Sequence, residues 1–291
     1  METRYKLGWL PDVPDTRDIP FAAVFRVPRK LPACADLRGD CSPVEDQGNL
    51  GSCTAQALVG ALEFLELRAL PSLSDKSKIV NPKSKISRFR DLSRLFVYYN
   101  ERAASGTVQE DSGAMLRTGI KTLKAQGVCR ESLWPYEIRR FTAKPTAACF
   151  TEAADHQVTA YQRLNRTSPV DTLAEMKACL AMGLPFVFGF AVYEHVMSAT
   201  VARTGRLRLP GKSERMLGGH AVMAVGYQES TRMILFRNSW GAAWGCSGYG
   251  QMPYAYLESR DLSDDFWCIQ GTESNRYAAW KQMALPTVAL A

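Results

Sequence analysis

The sequence predicts an α+β protein whose first half is mainly helical and whose second half is mainly antiparallel sheet. Apolar residues recur at helical spacing in three segments before residue 140. After residue 185, short runs rich in β-branched and aromatic residues alternate with turn residues. Helices followed by strands, rather than alternating with them, are typical of the α+β class.

The first helix is predicted from Cys53 to about residue 70, because apolar residues such as Leu58 and Leu62 follow helical spacing. A second helix is predicted over 92–104. A third is predicted over 113–126, ended by Gly127.

The second half opens with a further helix at Ser168 and Pro169, a cap followed by proline in the first turn, which ends at Gly183. Residues 140–165 and 200–217 lack periodicity, so we expect a crossover and a basic loop there. The strands are predicted over 185–193, 220–227, 231–237, 247–253 and 266–271.

A glycine-punctuated loop, Gln47-Gly48-Asn49-Leu50-Gly51-Ser52-Cys53, delivers one cysteine to the first turn of the first helix. A thiol at a helix N-terminus lies at the positive end of the dipole, which favours the thiolate. Free backbone N–H groups at this end can bind a developing oxyanion, and the Gln47 amide could reach the same place. A buried structural cysteine after a turn is the alternative interpretation of this loop taken alone.

Two later motifs supply a histidine and an asparagine. His220 lies in Gly218-Gly219-His220-Ala221-Val222, at the start of a predicted strand, and Asn238 begins Asn238-Ser239-Trp240-Gly241. The other histidines, His156 and His195, have no motif around them and are expected to be packing or surface residues. The three motifs, in this order, resemble the papain/cathepsin family of cysteine peptidases over residues 31–271.

The resemblance implies a two-lobed fold, with a helical half at about 45–140, a β-barrel-like half at about 155–271, and a cleft between them. It implies an endopeptidase in which Cys53 attacks a peptide carbonyl and His220 protonates the leaving amine. Asn238 would orient the imidazole, and Gln47 would stabilise the oxyanion. Trp240 would cover the His220–Asn238 pair.

Substrate binding is expected at Ser112, Gly113, Met115, Gly218, Gly219 and Trp240, of which Ser112-Gly113 stands where the family has a glycine-rich loop. The chain departs from the family at two places near the nucleophile. Thr54 replaces the usual aromatic residue after it, and Leu50 replaces a cysteine that usually forms a disulfide.

Residues 1–30 read as an arm, since Pro11, Pro14, Pro20 and Pro28 interrupt any helix. In the family, the material before a segment like 31–38 is an inhibitory propeptide, so we expect a short extended arm that makes the chain a zymogen. A strap packed on the surface is the alternative. Residues 272–291 show no clear element and are expected to be a tail.

The sequence does not determine the cellular compartment of the protein or the pairing of its cysteines. No secretory signal or membrane span is recognisable, and the missing family cysteine leans towards a reducing, cytoplasmic location, or export by a route that the sequence does not show. Spacing alone does not establish a disulfide pairing among the remaining cysteines: Cys34, Cys41, Cys129, Cys149, Cys179, Cys246 and Cys268.

Protein or peptide substrates are the expected partners, and no metal or organic cofactor is implied. The net charge of +7 decides little. The basic segment 76–94 could bind an anion, although a solvated insertion is the simpler interpretation, and its lack of interleaved aromatics argues against nucleic acid. A transamidase or deamidase, or a catalytically silent binding protein, are alternatives on the same residues.

Overall fold

A computed structural model describes residues 5–69, 90–164 and 169–272. Within these ranges the chain forms seven α-helices: α1 (Cys53–Ala69), α2 (Arg94–Ser105), α3 (Leu116–Ala125), α4 (Ala147–Ala153), α5 (Pro169–Ala181), α6 (Ala199–Thr204) and α7 (Tyr254–Glu258). The helices predicted in the first half are therefore confirmed, with α2 and α3 shifted by one to three residues. The expected cap at Ser168 lies outside the described residues.

The described strands are β1 (Cys34–Asp36), β2 (Val158–Arg163), β3 (Phe186–Tyr193), β4 (Met216–Gln228), β5 (Met233–Arg237), β6 (Tyr249–Pro253) and β7 (Ser263–Thr272). They form one antiparallel sheet in the order β2-β7-β3-β4-β5-β6, with β1 paired to β4. The α+β class is confirmed. The barrel-like closure implied for the second half is wrong, because β2 and β6 are the two ends of an open sheet.

The helix α1 is the centre of the molecule. Its side chains from Cys53 to Leu65 are all buried, which is unusual for a helix of a small domain and requires partners on every face. It packs against β4 and β7 on one side and against α2 and α3 on the other. The sulfur at its first residue is therefore placed where the helical part of the chain meets the sheet.

Two segments contain structure that the sequence does not predict. The helix α4 and the strand β2 lie within 140–165, and α6 begins one residue before the expected basic loop 200–217 and continues into it. All three elements are short, and α4 and α6 have only seven and six residues, so they contain too few turns to show a periodic pattern.

Part of the basic segment 76–94 lies outside the described residues. Of its described residues, Arg94 is buried and forms ion pairs with Glu45 and Glu131. This guanidinium group is therefore already paired with carboxylates of the protein. Across the described ranges, no helix is both long and apolar enough to span a membrane.

The two histidines without a motif are both buried and paired with acidic residues. Nδ1 of His156 lies 2.7 Å from Glu66 Oε1, and Nδ1 of His195 lies 3.1 Å from Glu214 Oε2. These contacts are consistent with the expected packing role of the two histidines.

Candidate active site

The fold brings Cys53, His220, Asn238 and Gln47 together at the boundary between α1 and the sheet. Cys53 is the first residue of α1 and is completely buried. Backbone groups of Ala221, on β4, and of Gly8, on the arm, lie close enough to lower the pKa of its thiol. The sulfur thus faces the residue that directly follows His220.

His220 is held on β4 by an amide and two aromatic rings. Its Nε2–H donates to Asn238 Oδ1 at 2.8 Å, since a carbonyl oxygen can only accept. The Trp240 ring stacks on the imidazole, with centroids 4.6 Å apart, and Phe190 meets its edge. This arrangement fixes the tautomer and leaves Nδ1 as an acceptor, with no hydrogen-bond partner among the described residues.

Gln47 is fixed by the segment that carries Asn238. Ser239 Oγ donates to Gln47 Oε1 at 2.7 Å, and Gln47 N donates to Ser239 O at 2.8 Å. These bonds orient the side-chain amide so that Nε2 is free to donate away from Ser239. Its acceptors are the carbonyl oxygens of Leu50 and Lys6, both at 2.9 Å.

Burial keeps both reactive groups uncharged in this structure. Burial raises the pKa of the Cys53 thiol to about 12, despite the lowering effect of its backbone hydrogen bonds. Burial also lowers the pKa of His220 to about 4, although its bond to Asn238 raises it. Both shifts favour a neutral thiol and a neutral imidazole.

The replacement at Thr54 is explained by a partner on α2. Thr54 Oγ1 donates to Glu101 Oε2 at 2.9 Å, and both residues are fully buried. Gly119 on α3 makes room for this carboxyl, because a Cβ there would lie 2.3 Å from Glu101 Oε1. Burial raises the pKa of Glu101 to about 8, so a neutral acid and a hydroxyl fill the space behind the nucleophile.

Residues 5–12 of the N-terminal arm, here called the cleft segment, lie directly over these groups. The Tyr5 ring stacks on Trp240 with centroids 4.9 Å apart, and its hydroxyl donates to Trp240 O. Lys6 forms a 2.7 Å ion pair with Asp111, while its carbonyl accepts the Gln47 amide described above. A carbonyl of the chain itself thus occupies the position of an acceptor for Gln47.

Gly8 packs closely against the loop that precedes Cys53. Its carbonyl accepts from Ala114 N at 2.8 Å, and Leu10 N donates to Ala114 O at 2.9 Å, forming a parallel bridge. A Cβ on Gly8 would lie 1.9 Å from Gly51 O, far inside contact distance. Only glycine fits at this position with the cleft segment so close to the loop before Cys53.

Trp9 fills a slot on the sheet side of the cleft. Its backbone N donates to Gly219 O at 3.0 Å, and its indole covers Gly189 and Gly219 so closely that a Cβ on either would overlap it. The indole Nε1 donates to Asp265 Oδ2 at 3.1 Å. The slot therefore accepts a flat aromatic group with an N–H at its far end.

Acidic residues fasten the arm beyond the slot. Asp12 accepts from Trp267 Nε1 at 2.9 Å and from the backbone of Arg117 at 3.1 Å. Asp18 accepts from the guanidinium groups of Arg117 and Arg163. These buried and half-buried contacts hold the arm against α3, β2 and β7.

The cleft segment contacts four of the six residues predicted to bind substrate. Gly113 faces Gly8, Gly218 faces Leu7, Gly219 faces Trp9, and Trp240 faces Tyr5. The other two, Ser112 and Met115, have different neighbours among the described residues. The Ser112 hydroxyl instead bonds Thr107 at 2.8 Å. Met115 lines an open groove farther along the arm, with Val13 and Arg117.

Asp265 and Gly189 both contact Trp9, and neither was predicted from the sequence to lie in the cleft. Asp265 is a non-glycine residue with a positive φ of 57°, one residue before the apolar stretch of β7, and nothing in its local pattern points to the cleft. Gly189 interrupts a run of strand-forming residues, and a glycine there is a known sign of close approach by another group.

Comparison with known proteins identifies relatives of the whole arrangement. The family described as papain family cysteine protease matches residues 102–262. An uncharacterised peptidase C1-like protein of Acanthamoeba polyphaga mimivirus is 41% identical over 228 residues, covering 77% of this chain and 68% of the viral protein. Digestive cysteine proteinase 3 of Homarus americanus is 29% identical, over 72% of this chain and 57% of its own length. The chain thus spans about two thirds or less of these relatives.

Solved structures of cysteine proteases are also similar to this chain. Xylellain, a cysteine protease from Xylella fastidiosa, is 37% identical, with a TM-score of 0.76, covering 92% of this chain and 96% of xylellain. A digestive procathepsin L 3 of the Tenebrio molitor larval midgut, 19% identical with a TM-score of 0.56, shares the fold. The match of the family model to more than half of the chain and the 41% identity to the viral relative show that this chain belongs to the papain family of cysteine proteases, a class of hydrolases.

Proposed function

We propose that the chain is an endopeptidase that cleaves peptide bonds through an acyl-enzyme on Cys53, and that its N-terminal arm holds it latent. The observation that carries the proposal is the position of the Cys53 sulfur beside Ala221, the residue after His220, whose Nε2 is fixed by Asn238 and whose Nδ1 has no hydrogen-bond partner among the described residues. That nitrogen is the acceptor that a neighbouring thiol needs.

The reaction begins when the proton of Cys53 moves to His220, giving thiolate and imidazolium. The thiolate attacks the peptide carbonyl carbon, and the C–N bond then breaks as His220 donates its proton to the leaving amine. A water molecule, deprotonated by the neutral imidazole, cleaves the thioester and releases the acid. Asn238 keeps the ring in position throughout and carries no charge itself.

Gln47 supplies the electrostatic part of catalysis. Its amide is held by Ser239 and already donates to the Lys6 carbonyl, which supports a function as donor to the oxyanion of the tetrahedral intermediate. One such donor contributes about 3 kcal/mol in analogous sites. The backbone N–H of Cys53, at the start of α1, is the second donor in this proposal.

Three features of the cleft segment support latency. It lies over Cys53 and His220, which are both fully buried, it places a carbonyl on the Gln47 amide, and it contacts four residues expected to bind substrate. Its coverage also removes water from the pair, which favours the neutral forms of thiol and imidazole. Release of the arm rehydrates both groups and favours the ion pair.

We propose the domain limits that the sequence predicts, with residues 1–30 as the arm and 31–271 as the peptidase domain. The expected tail, 272–291, lies outside the described residues except for its first residue. The strand β1, which begins at Cys34 and pairs with β4, is the first strand of the domain after the arm. Phe21, fully buried, is the last deep anchor of the arm before that point.

The test compares the full chain with a chain that lacks residues 1–30. We expect the shortened protein to hydrolyse a fluorogenic peptide library at least ten times faster, and a Cys53→Ala version to be inactive. A folded, shortened protein that incorporates amines into glutamine side chains without cleaving peptides would favour a transamidase. A folded protein with neither activity and no adduct at Cys53 would favour a silent binding protein.

A further inference from the structure

Two cysteines outside the active site, Cys129 and Cys149, lie side by side beneath a short surface helix. Cys129 follows α3, and Cys149 lies in α4. Both are fully buried, and the Cys149 thiol is close enough to raise the pKa of Cys129. The Cys149 sulfur also lies 3.2 Å from Thr146 Oγ1 and 3.8 Å from Leu133 O, so its position is fixed by the surrounding chain.

The contact does not depend on the thiols themselves, because the flanking residues hold the two segments together. Arg130 N donates to Glu152 Oε2 at 3.1 Å, and the Arg130 side chain forms an ion pair with the same carboxylate. At Gly127, a Cβ would lie only 1.8 Å from Ala153 O, so the two backbones touch. The loop 127–130 is therefore held against the C-terminal end of α4, by residues on both sides of Cys129.

We propose that Cys129 and Cys149 form a disulfide when the protein meets an oxidising thiol buffer. The thiolate of one cysteine attacks a small disulfide such as glutathione disulfide, which releases one glutathione thiolate and forms a mixed disulfide. The second cysteine attacks the protein sulfur of that mixed disulfide and releases the second glutathione. The two cysteines lose two protons and two electrons, and one glutathione disulfide becomes two glutathione thiols.

The surroundings determine when this exchange takes place. Burial and the adjacent Cys149 raise the pKa of Cys129, so little thiolate exists while α4 is seated. The helix α4 has only seven residues, and its Ala147, Ala148 and Thr151 are exposed, so it is a small element that can open locally. The exchange therefore occurs during folding or during such openings.

A second pair provides an internal comparison. Cys179 and Cys268 are also in thiol contact and fully buried. However, Cys179 lies in the 13-residue helix α5, and Cys268 lies on β7 between β2 and β3, inside the sheet. Opening this region disrupts much more of the core, so this pair stays reduced in the folded protein under the same conditions.

A disulfide between Cys129 and Cys149 would restrain a loop that contacts residues of the active site. The segment between the two cysteines contains Tyr136, whose hydroxyl donates to Gln47 O at 2.9 Å and lies 2.6 Å from Ser52 Oγ. Closing the loop lowers the entropy of the unfolded chain and tethers Tyr136 to α4. The stabilisation does not require the proposed peptidase chemistry, so it can be tested without measuring activity.

The test incubates the full chain with glutathione disulfide below its melting temperature, alkylates free thiols after denaturation, and maps peptides without reduction. We expect one linked peptide joining Cys129 to Cys149, alkylated Cys179 and Cys268, and a melting midpoint raised by about 5 °C and restored by reductant. Cys129→Ser and Cys149→Ala should each abolish the rise, whereas Cys179→Ser should leave the linked peptide intact. Equilibrated protein without the linked peptide, or a rise that persists in Cys129→Ser or in Cys149→Ala, would overturn the proposal.

Discussion

Replacing Gly8 by alanine tests whether the cleft segment controls access to Cys53. The added methyl group would lie 1.9 Å from the carbonyl oxygen of Gly51, and its neighbours are backbone atoms that cannot rotate away. The cleft segment must therefore lift from the loop before Cys53. Lifting weakens two hydrogen bonds, from Ala114 N to Gly8 O and from Trp9 N to Gly219 O.

The size of the effect follows from the overlap. Forcing a methyl group into a filled site costs about 1–3 kcal/mol. This energy is lost from the closed state alone, because Gly8 is solvated when the arm is open. The open fraction should then rise about 5- to 150-fold, since each 1.4 kcal/mol corresponds to a factor of ten.

The assay is the rate at which iodoacetamide alkylates Cys53 in the full chain, followed by mass spectrometry of the peptide that contains it. Gly39→Ala is the matched control, because a Cβ at Gly39 meets nothing within 4 Å. Alkylation should accelerate in the Gly8 variant and stay at the wild-type rate in the control. Equal rates in all three folded proteins would refute the idea that this segment covers the thiol.

Three further perturbations have distinct signatures. Gln47→Ala should lower kcat of the arm-deleted enzyme about 100-fold, yet speed alkylation of Cys53 in the full chain, because the Lys6 carbonyl loses its donor; slower alkylation would contradict this. Asn238→Ala should reduce kcat of the arm-deleted enzyme about 10- to 100-fold and move the alkaline limb of its pH profile to lower pH, because the ion pair needs a protonated imidazole and the Asn238 bond raises the pKa of His220; an unmoved limb would contradict it. Glu101 has its pKa raised to about 8 by burial, so its contribution to stability is present at low pH and lost as pH rises from about 4.3 to 8. Chemical denaturation of Glu101→Gln should show a flatter decline in the free energy of unfolding over that range than wild type, and identical slopes would exclude this titration.

Much of the site is predictable from the sequence because it depends on residues within continuous motifs. Cys53 is at a helix N-terminus since glycines precede it and apolar periodicity follows it. His220 and Asn238 are on or beside strands rich in β-forming residues. Such local patterns determine both the element and the place of the side chain within it.

The contacts of the arm could not be predicted in the same way. Proline spacing indicates an extended segment, but the slot for Trp9 requires Gly189, Gly219 and Asp265, which come from three different strands. Likewise, the fit of Thr54 depends on Glu101 and on the absence of a side chain at Gly119. These complementarities arise only when distant segments pack, and no periodic pattern in one segment records them.

The open sheet is a further difference with a physical reason. The register of each strand pair can be satisfied with β2 and β6 as edges, and β2 lies in a region whose sequence has little alternation. A resemblance based on the cleft motifs implies the general fold, but it contains no information about whether the two edges meet.

The central claim is that Cys53 forms the covalent intermediate once the arm is gone. The most direct measurement is a rapid-quench reaction of the arm-deleted protein with an activated peptide ester, with the acylated residue located by peptide mapping at acidic pH. The account predicts one acyl group per molecule on Cys53, and none on a folded Cys53→Ala variant. Acylation at another residue, or unchanged turnover by the Cys53→Ala variant, would contradict it.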